Sequence, residues 1–199
     1  VRPESYIEIN NFYTATVYEK GAEVIGMLRR LVGEDGYRRA LDLYFARHDG
    51  DAATIEDWLK VFEDATGRDL SQFKRWYSQS GTPRLTVKES FKDGTYTLDL
   101  AQETPPTPGQ PEKLPQVIPV AVGLLAPDGT EVVPTTLLEM TEARQSFRFE
   151  GLAEKPVPSL LRGFSAPVIL VRASSTEERA FLLAHDTDPF NRWEAGRAL

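Results

Sequence analysis

Hydrophobic positions recur with a helical period from residue 18 to about residue 80, then with a period of two from residue 84 to about residue 172. In the first stretch Val24, Ile25, Leu28, Leu31 and Val32 share one helix face, and Gly33 stops that helix. Tyr37, Leu41, Tyr44 and Phe45 predict a second helix ending near Gly50. Thr54 followed by Asp57 resembles a capping box with Asp in place of Glu. It opens a third helix whose inner face is Ile55, Trp58, Leu59 and Phe62. Leu70, Phe73, Trp76 and Tyr77 predict a fourth, stopped by Ser80-Gly81-Thr82-Pro83.

In the second stretch Leu85 and Val87 alternate with polar residues, Asp93-Gly94 is a hairpin signal, and Tyr96, Leu98 and Leu100 alternate on the return strand. A Pro-rich connection runs from Pro105 to Pro115. Ile118, Val120, Val122 and Leu124 alternate again, and Pro127-Asp128-Gly129 turns the chain. Phe147 and Phe149 mark a further strand, and Ala166 to Arg172 a last one. About six or seven short strands with Gly/Pro turns predict a small antiparallel sandwich. Helical patterning returns after Ala173: Ser175 and Glu178 read as a capping box, and Asp188-Pro189 as an N-cap with proline at the first helical position. The organisation is therefore α+β, in three parts: helical residues 1–82, a sandwich over 83–173, and the first helices of another region over 174–199. These last residues are expected to lack a surface to pack on. Together with an opening at Val1-Arg2-Pro3 and a close inside a helical pattern, this reads as an excerpt of a longer chain.

Composition narrows the function classes. The 199 residues are 41% hydrophobic and 27% charged, with a formal net charge of −7. No Lys/Arg stripe suggests nucleic acid; Arg29-Arg30 and Arg38-Arg39 fall on polar helix faces. The chain has no cysteine, which favours a reducing, cytoplasmic setting. No apolar run approaches the roughly 18 residues needed to span a bilayer.

Most catalytic motifs are missing. There is no HExxH pair, no GxSxG elbow and no phosphate loop. The two histidines, His48 and His185, each end a helical pattern, where the helix dipole favours them as structural residues. No metal site is expected in this stretch. What remains is Asn10 to Ala22, with Tyr13 and Tyr18. Tyrosines before a helix are most often packing residues with a satisfied hydroxyl. A phenol is also a neutral donor at pH 7, and held rigidly it can donate to an oxyanion that develops during acyl transfer. Gly21, a poor helix residue, suggests a close approach to the backbone. Both readings of the tyrosines stay open on the residues alone.

Asn10-Asn11-Phe12-Tyr13-Thr14-Ala15-Thr16-Val17-Tyr18-Glu19-Lys20-Gly21-Ala22-Glu23-Val24-Ile25 resembles the tyrosine segment of the M1 zinc aminopeptidases of the bacterial aminopeptidase N group. The likeness continues through Leu43 to Gly50, Phe73 to Pro83, and Phe164 to Val168. It implies a multidomain parent. Residues 1–82 would be the helical tail of a thermolysin-like catalytic domain, 83–173 its β-sandwich, and 174–199 the start of a C-terminal α-helical domain. By the same resemblance, Tyr18 is the catalytic tyrosine of the Tyr-x-Lys-Gly motif, stabilising the tetrahedral intermediate of hydrolysis. Tyr13 lines the pocket for the substrate's N-terminal side chain. Glu19 and Lys20 match the motif and are read as structural first-turn residues. The Zn2+ ligands, the general-base glutamate and the GxMEN segment precede Val1 in such proteins, so this stretch alone is expected to bind no zinc and to be inactive. The implied parent is a cytoplasmic, monomeric hydrolase that removes one N-terminal residue from peptides with a free N-terminus, in peptide catabolism, with no nucleic-acid or membrane partner. The alternative is a non-catalytic interaction module built on the sandwich. Its mark would be an exposed apolar patch, and the strands offer no clear surplus of outward apolar residues.

Overall fold

The structure, a computed structural model, describes residues 1–2 and 5–199. They divide into two units, Val1–Ser80 and Gly81–Leu199. The first holds a 3₁₀ turn at Ile9–Phe12, a π-helical turn at Thr16–Lys20, and helices α1 (Gly21–His48), α2 (Ile55–Thr66) and α3 (Arg75–Ser78). The two predicted helices meet at Gly33, whose non-helical φ of 73° and ψ of 166° kink the chain; both are labelled α1. The capping box at α2 forms as read: the Thr54 hydroxyl accepts from the Asp57 N–H at 3.2 Å, and the Asp57 carboxylate accepts from the Thr54 N–H at 2.9 Å. Gly67, left-handed at φ 71°, closes α2.

The core of this unit joins Val24, Met27 and Leu28 of α1 to Leu59, Val61 and Phe62 of α2 and to Leu70, Phe73, Trp76 and Tyr77. Two expectations change. Ile25 is exposed and Met27 takes the buried place beside Val24. The predicted fourth helix shrinks to the single turn α3, yet its four apolar residues are all buried, because the hydrogen-bonded turns over 70–77 present them inward.

The second unit holds β1 (Arg84–Lys92), β2 (Thr95–Glu103), β3 (Ile118–Leu125), β4 (Glu131–Met140), β5 (Arg144–Phe149), β6 (Val157–Leu160) and β7 (Ile169–Val171), then helices α4 (Thr176–His185) and α5 (Pro189–Arg197). The strands form two sheets, ordered β5-β2-β1-β7 and β4-β3-β6. Every pair is antiparallel except β1–β7, which is parallel. At the β1–β2 hairpin Lys92 faces Thr95, and Asp93 and Gly94 both take positive φ, 50° and 74°. This is the turn whose twist matches paired strands. The whole of β3 is buried rather than alternating, since both its faces are covered. The strand expected over Ala166 to Arg172 is reduced to β7, and its Ile169, Leu170 and Val171 are exposed, an outward apolar edge that the strand pattern had not suggested.

Residues 174–199 do find a surface: α4 and α5 are held against the sandwich by two arginines. Arg162, 3% exposed, donates from all three guanidinium nitrogens: to Glu131 of β4 at 2.5 Å, to Thr135 at 2.9 Å, to Ser159 at 2.9 Å and to Asp186, after α4, at 3.0 Å. Asn191 of α5 adds bonds to Ser159 at 2.7 Å and to the Leu160 carbonyl at 2.9 Å. Arg172 donates to Glu89 of β1 at 2.5 Å and pairs with Glu178 of α4. The expected Ser175–Glu178 box is therefore half formed. Ser175 accepts from the Glu178 N–H at 3.2 Å, while the Glu178 carboxylate is engaged by Arg172.

Candidate functional site

Tyr13 and Tyr18 flank an irregular stretch of backbone. Tyr13 closes the 3₁₀ turn, its N–H donating to the Asn10 carbonyl at 3.3 Å. That turn is fastened by the Asn11 side chain, which accepts from the Glu8 N–H at 3.1 Å. Thr14 then organises the next turn: its carbonyl accepts from the N–H groups of Val17 and Tyr18, both at 3.0 Å. Tyr18 sits in the middle of the π-helical turn that feeds α1. Wide turns of this kind are rare and frequently occur at functional sites.

The fold brings the two tyrosines together. Their ring centroids are 6.2 Å apart, with 31° between planes, and Tyr13 also meets Phe12 edge-on at 5.8 Å. Both are well exposed, 58% for Tyr13 and 59% for Tyr18, and among the described residues no hydrogen bond holds the Tyr18 hydroxyl. Among the described residues Tyr18 is neither buried in a core nor given a partner for its hydroxyl.

A cavity of about 790 Å³ lies beside it. Its walls include Phe12, Tyr18, Ile25, Tyr44, Trp58 and Tyr77, an aromatic and apolar lining that Tyr13 does not join. Tyr44 and Trp58 pack edge to face at 5.2 Å, which fixes that wall. Burial pushes the Tyr77 phenol up to about 12, so it stays neutral across the physiological range. Glu56 supplies the polar rim: bonds from Arg2 at 2.7 Å and Lys74 at 3.0 Å draw its carboxyl down to about 2. Gly21 lines the cavity too, and no described residue approaches its backbone closely. Its φ is helical at −60°, and an added Cβ would meet Val1 in ordinary contact at 3.4 Å.

The motif predicts Lys20 as a first-turn helix residue. It is instead the last residue of the π-helical turn, half-buried, with its ammonium 5.8 Å from the centroid of the Trp76 ring. Sequence reasoning missed this contact because the partners lie 56 positions apart, though both lie in the quoted resemblance blocks.

Both histidines stand at helix ends. His48 ends α1 with its ring 5.6 Å from that of Tyr44. His185 ends α4, 4.8 Å from the Phe181 ring, in space that Gly129 leaves open: a Cβ there would lie 2.5 Å from Nδ1. Among the described residues no group of three or more His, Cys, Asp or Glu is placed to hold a metal ion, and no helix is long and apolar enough to cross a membrane.

Residues 1–77 match the family described as the peptidase family M1 domain. Residues 81–173 match a domain of unknown function with an Ig-like fold, and residues 176–199 its C-terminal companion, described as ARM repeats. Aminopeptidase N of Escherichia coli is 47% identical over 209 aligned residues, covering 100% of this chain and 24% of that protein. Aminopeptidase N of Caulobacter vibrioides is 50% identical over 201, covering 100% and 23%. The crystal structure of Legionella pneumophila aminopeptidase A in complex with aspartic acid superposes with a TM-score of 0.89 at 33% identity, over 98% of this chain and 22% of that one. The chain thus spans about a quarter of the length of these relatives.

Proposed function

Since the chain belongs to the M1 peptidase family, akin to bacterial aminopeptidase N, we propose that it is part of a zinc-dependent aminopeptidase that hydrolyses the N-terminal residue from peptides. In this reading residues 1–82 end the catalytic domain, 83–173 form the β-sandwich domain and 174–199 begin a C-terminal helical domain. The whole enzyme acts as a monomer on cytoplasmic peptides, in peptide catabolism. The family's zinc supplies Lewis-acid polarisation and an activated water. The described residues offer no donor set for it, so this chain's share of the chemistry is carried by side chains alone.

That share falls to Tyr18. When water adds to the carbonyl carbon of the first peptide bond, the carbonyl oxygen gains negative charge. The C–N bond then breaks and the amine leaves with a proton. The Tyr18 phenol donates a hydrogen bond to the charged oxygen without giving up its proton. The observation that carries this reading is a hydroxyl that no described residue holds, on a rare π-helical turn, in the wall of an apolar cavity. Tyr13, ring to ring with Tyr18, contacts the substrate's N-terminal side chain.

Tyr18→Phe in the full-length enzyme tests the role. Loss of one oxyanion donor lowers kcat by about 10²–10³-fold with little change in KM. Steady-state kinetics showing near-full kcat in that variant would reject it.

A further inference from the structure

An exposed tyrosine whose hydroxyl no described residue holds gains catalytic geometry from its backbone, so the question is what holds the turn that carries Tyr18. A π-helical turn is intrinsically poor and persists where tertiary contacts over-determine it. The backbone bonds around Thr14 are local, between residues three and four apart, and move with the turn. Lys20 is different. It stands two residues beyond Tyr18, and residues two apart on a helical turn do not face each other. Tyr18 is turned outward, while Lys20 is half-buried with its ammonium over the Trp76 ring. Trp76 is 1% exposed and fixed in the core through α3. An indole face is the best aromatic partner for a cation, and its attraction strengthens when water is excluded. Burial also lowers the Lys20 pKa, the expected sign of an ammonium removed from water.

We infer that Lys20 is a positioning residue for Tyr18: its ammonium, seated on the Trp76 ring, fixes the rotation of the π-helical turn and so the direction of the Tyr18 phenol. This rests on the oxyanion role given to Tyr18 above. Lys20 touches no reacting atom and acts through that side chain.

The test uses the full-length zinc enzyme and steady-state kinetics on an aminoacyl substrate. Lys20→Met keeps the aliphatic stem and removes the cation; it lowers kcat about two- to thirtyfold and leaves KM within about twofold. Lys20→Arg, which keeps a cation for the ring, recovers most of the loss. In a Tyr18→Phe background Lys20→Met has no further effect on kcat, because the group it positions is already gone. Wild-type kcat in Lys20→Met, no recovery with Arg, or an undiminished loss in the Tyr18→Phe background would each overturn the inference. If Lys20→Met fails to fold by circular dichroism, Trp76→Phe replaces it. That variant, a weaker cation partner, should lose kcat in the wild-type background and not in the Tyr18→Phe one; equal losses in both count against the inference. The two readings fail separately. A silent Tyr18→Phe rejects the oxyanion role itself, whereas a slow Tyr18→Phe beside a silent Lys20→Met rejects the positioning role alone.

Discussion

Tyr18 in the first unit and Tyr96 in the second carry the same phenol in opposite circumstances. Tyr96 is 0% exposed, and its hydroxyl donates to Glu89 at 2.7 Å, where Arg172 also donates. Burial, followed by the Glu89 bond, pushes its pKa far up, so it is a permanent donor to one acceptor. Tyr18 is 59% exposed on irregular backbone, with no acceptor among the described residues. In the sandwich, polar groups are buried and tied to one another, which specifies how α4 and α5 dock. In the tyrosine segment the donor is left open and only the backbone beneath it is anchored. A group that must meet a charge appearing during a reaction has to lack a permanent partner. A group that fixes architecture has to have one.

The largest expected effect strikes the tied network. Arg162→Met leaves the buried Asp186 and its neighbour Glu131 without their cation. Removing one partner of a buried pair costs about 3–5 kcal/mol. Urea unfolding followed by the fluorescence of Trp193, the tryptophan of residues 81–199, reads this loss. A change below about 1 kcal/mol would mean that the network is as loosely held as the tyrosine segment, and the contrast would collapse.

Acid probes the same network. The Arg162 bond lowers the Glu131 carboxyl below its ordinary 4.5. For Glu89 burial works upward, but the bonds from Arg172 and Tyr96 outweigh it and the net shift is also down. A carboxyl lowered on folding contributes stability that is fully present above about pH 4.5 and fades as pH falls below it. The Trp193-monitored stability should decline as pH falls below about 4.5. A combined Glu89→Gln and Glu131→Gln variant should show a shallower decline; an equal slope would place the acid sensitivity elsewhere.

Tyr96→Phe sharpens the comparison by making in the sandwich the change proposed for Tyr18. It removes a buried donor from a charged acceptor, worth about 1.5–3 kcal/mol of stability, and leaves kcat unchanged. Tyr18→Phe should do the reverse, slowing turnover with no measurable change in the unfolding midpoint. Exchanged outcomes would show that the roles assigned to the two phenols are the wrong way round.

Local signals were legible in the sequence and long-range ones were not. The Asp93-Gly94 turn, the Thr54–Asp57 box and the break at Gly33 depend on residues a few positions apart, and all three stand as read. Strand β4 was not recognised, because Pro134 and a run of exposed residues blur its alternation, and β6 was hidden by Pro156 and Pro158. The Arg162 and Arg172 networks join residues up to 83 positions apart, a pairing that no periodicity encodes. At the candidate site, Tyr13 and Tyr18 came from resemblance rather than pattern. The π-helical turn was invisible, since helical spacing of side chains does not distinguish an added residue per turn.

The smallest expected effects come from two glycines, one in each region. Gly123 in β3 lies under the Arg162 guanidinium: a Cβ there would be 2.1 Å from Cζ. The guanidinium is held by four acceptors and cannot retreat, so Gly123→Ala costs about 1–3 kcal/mol as overpacking. Gly21, at helical φ with its nearest described neighbour at 3.4 Å, has room among the described residues. Gly21→Ala should stabilise the first unit by about 0.5–1 kcal/mol through helix propensity alone. Yet Gly21 lines the cavity beside Tyr18, so its methyl would take space there and raise KM for bulky substrates more than for small ones. Thermal unfolding and KM measured on the same variant separate the two effects. A stability gain without a change in KM would mean that the cavity wall at Gly21 is not part of the surface the substrate meets. A stability loss would mean that this glycine, like Gly123, is required by packing, and the difference between the two regions would be narrower than the tyrosines suggest.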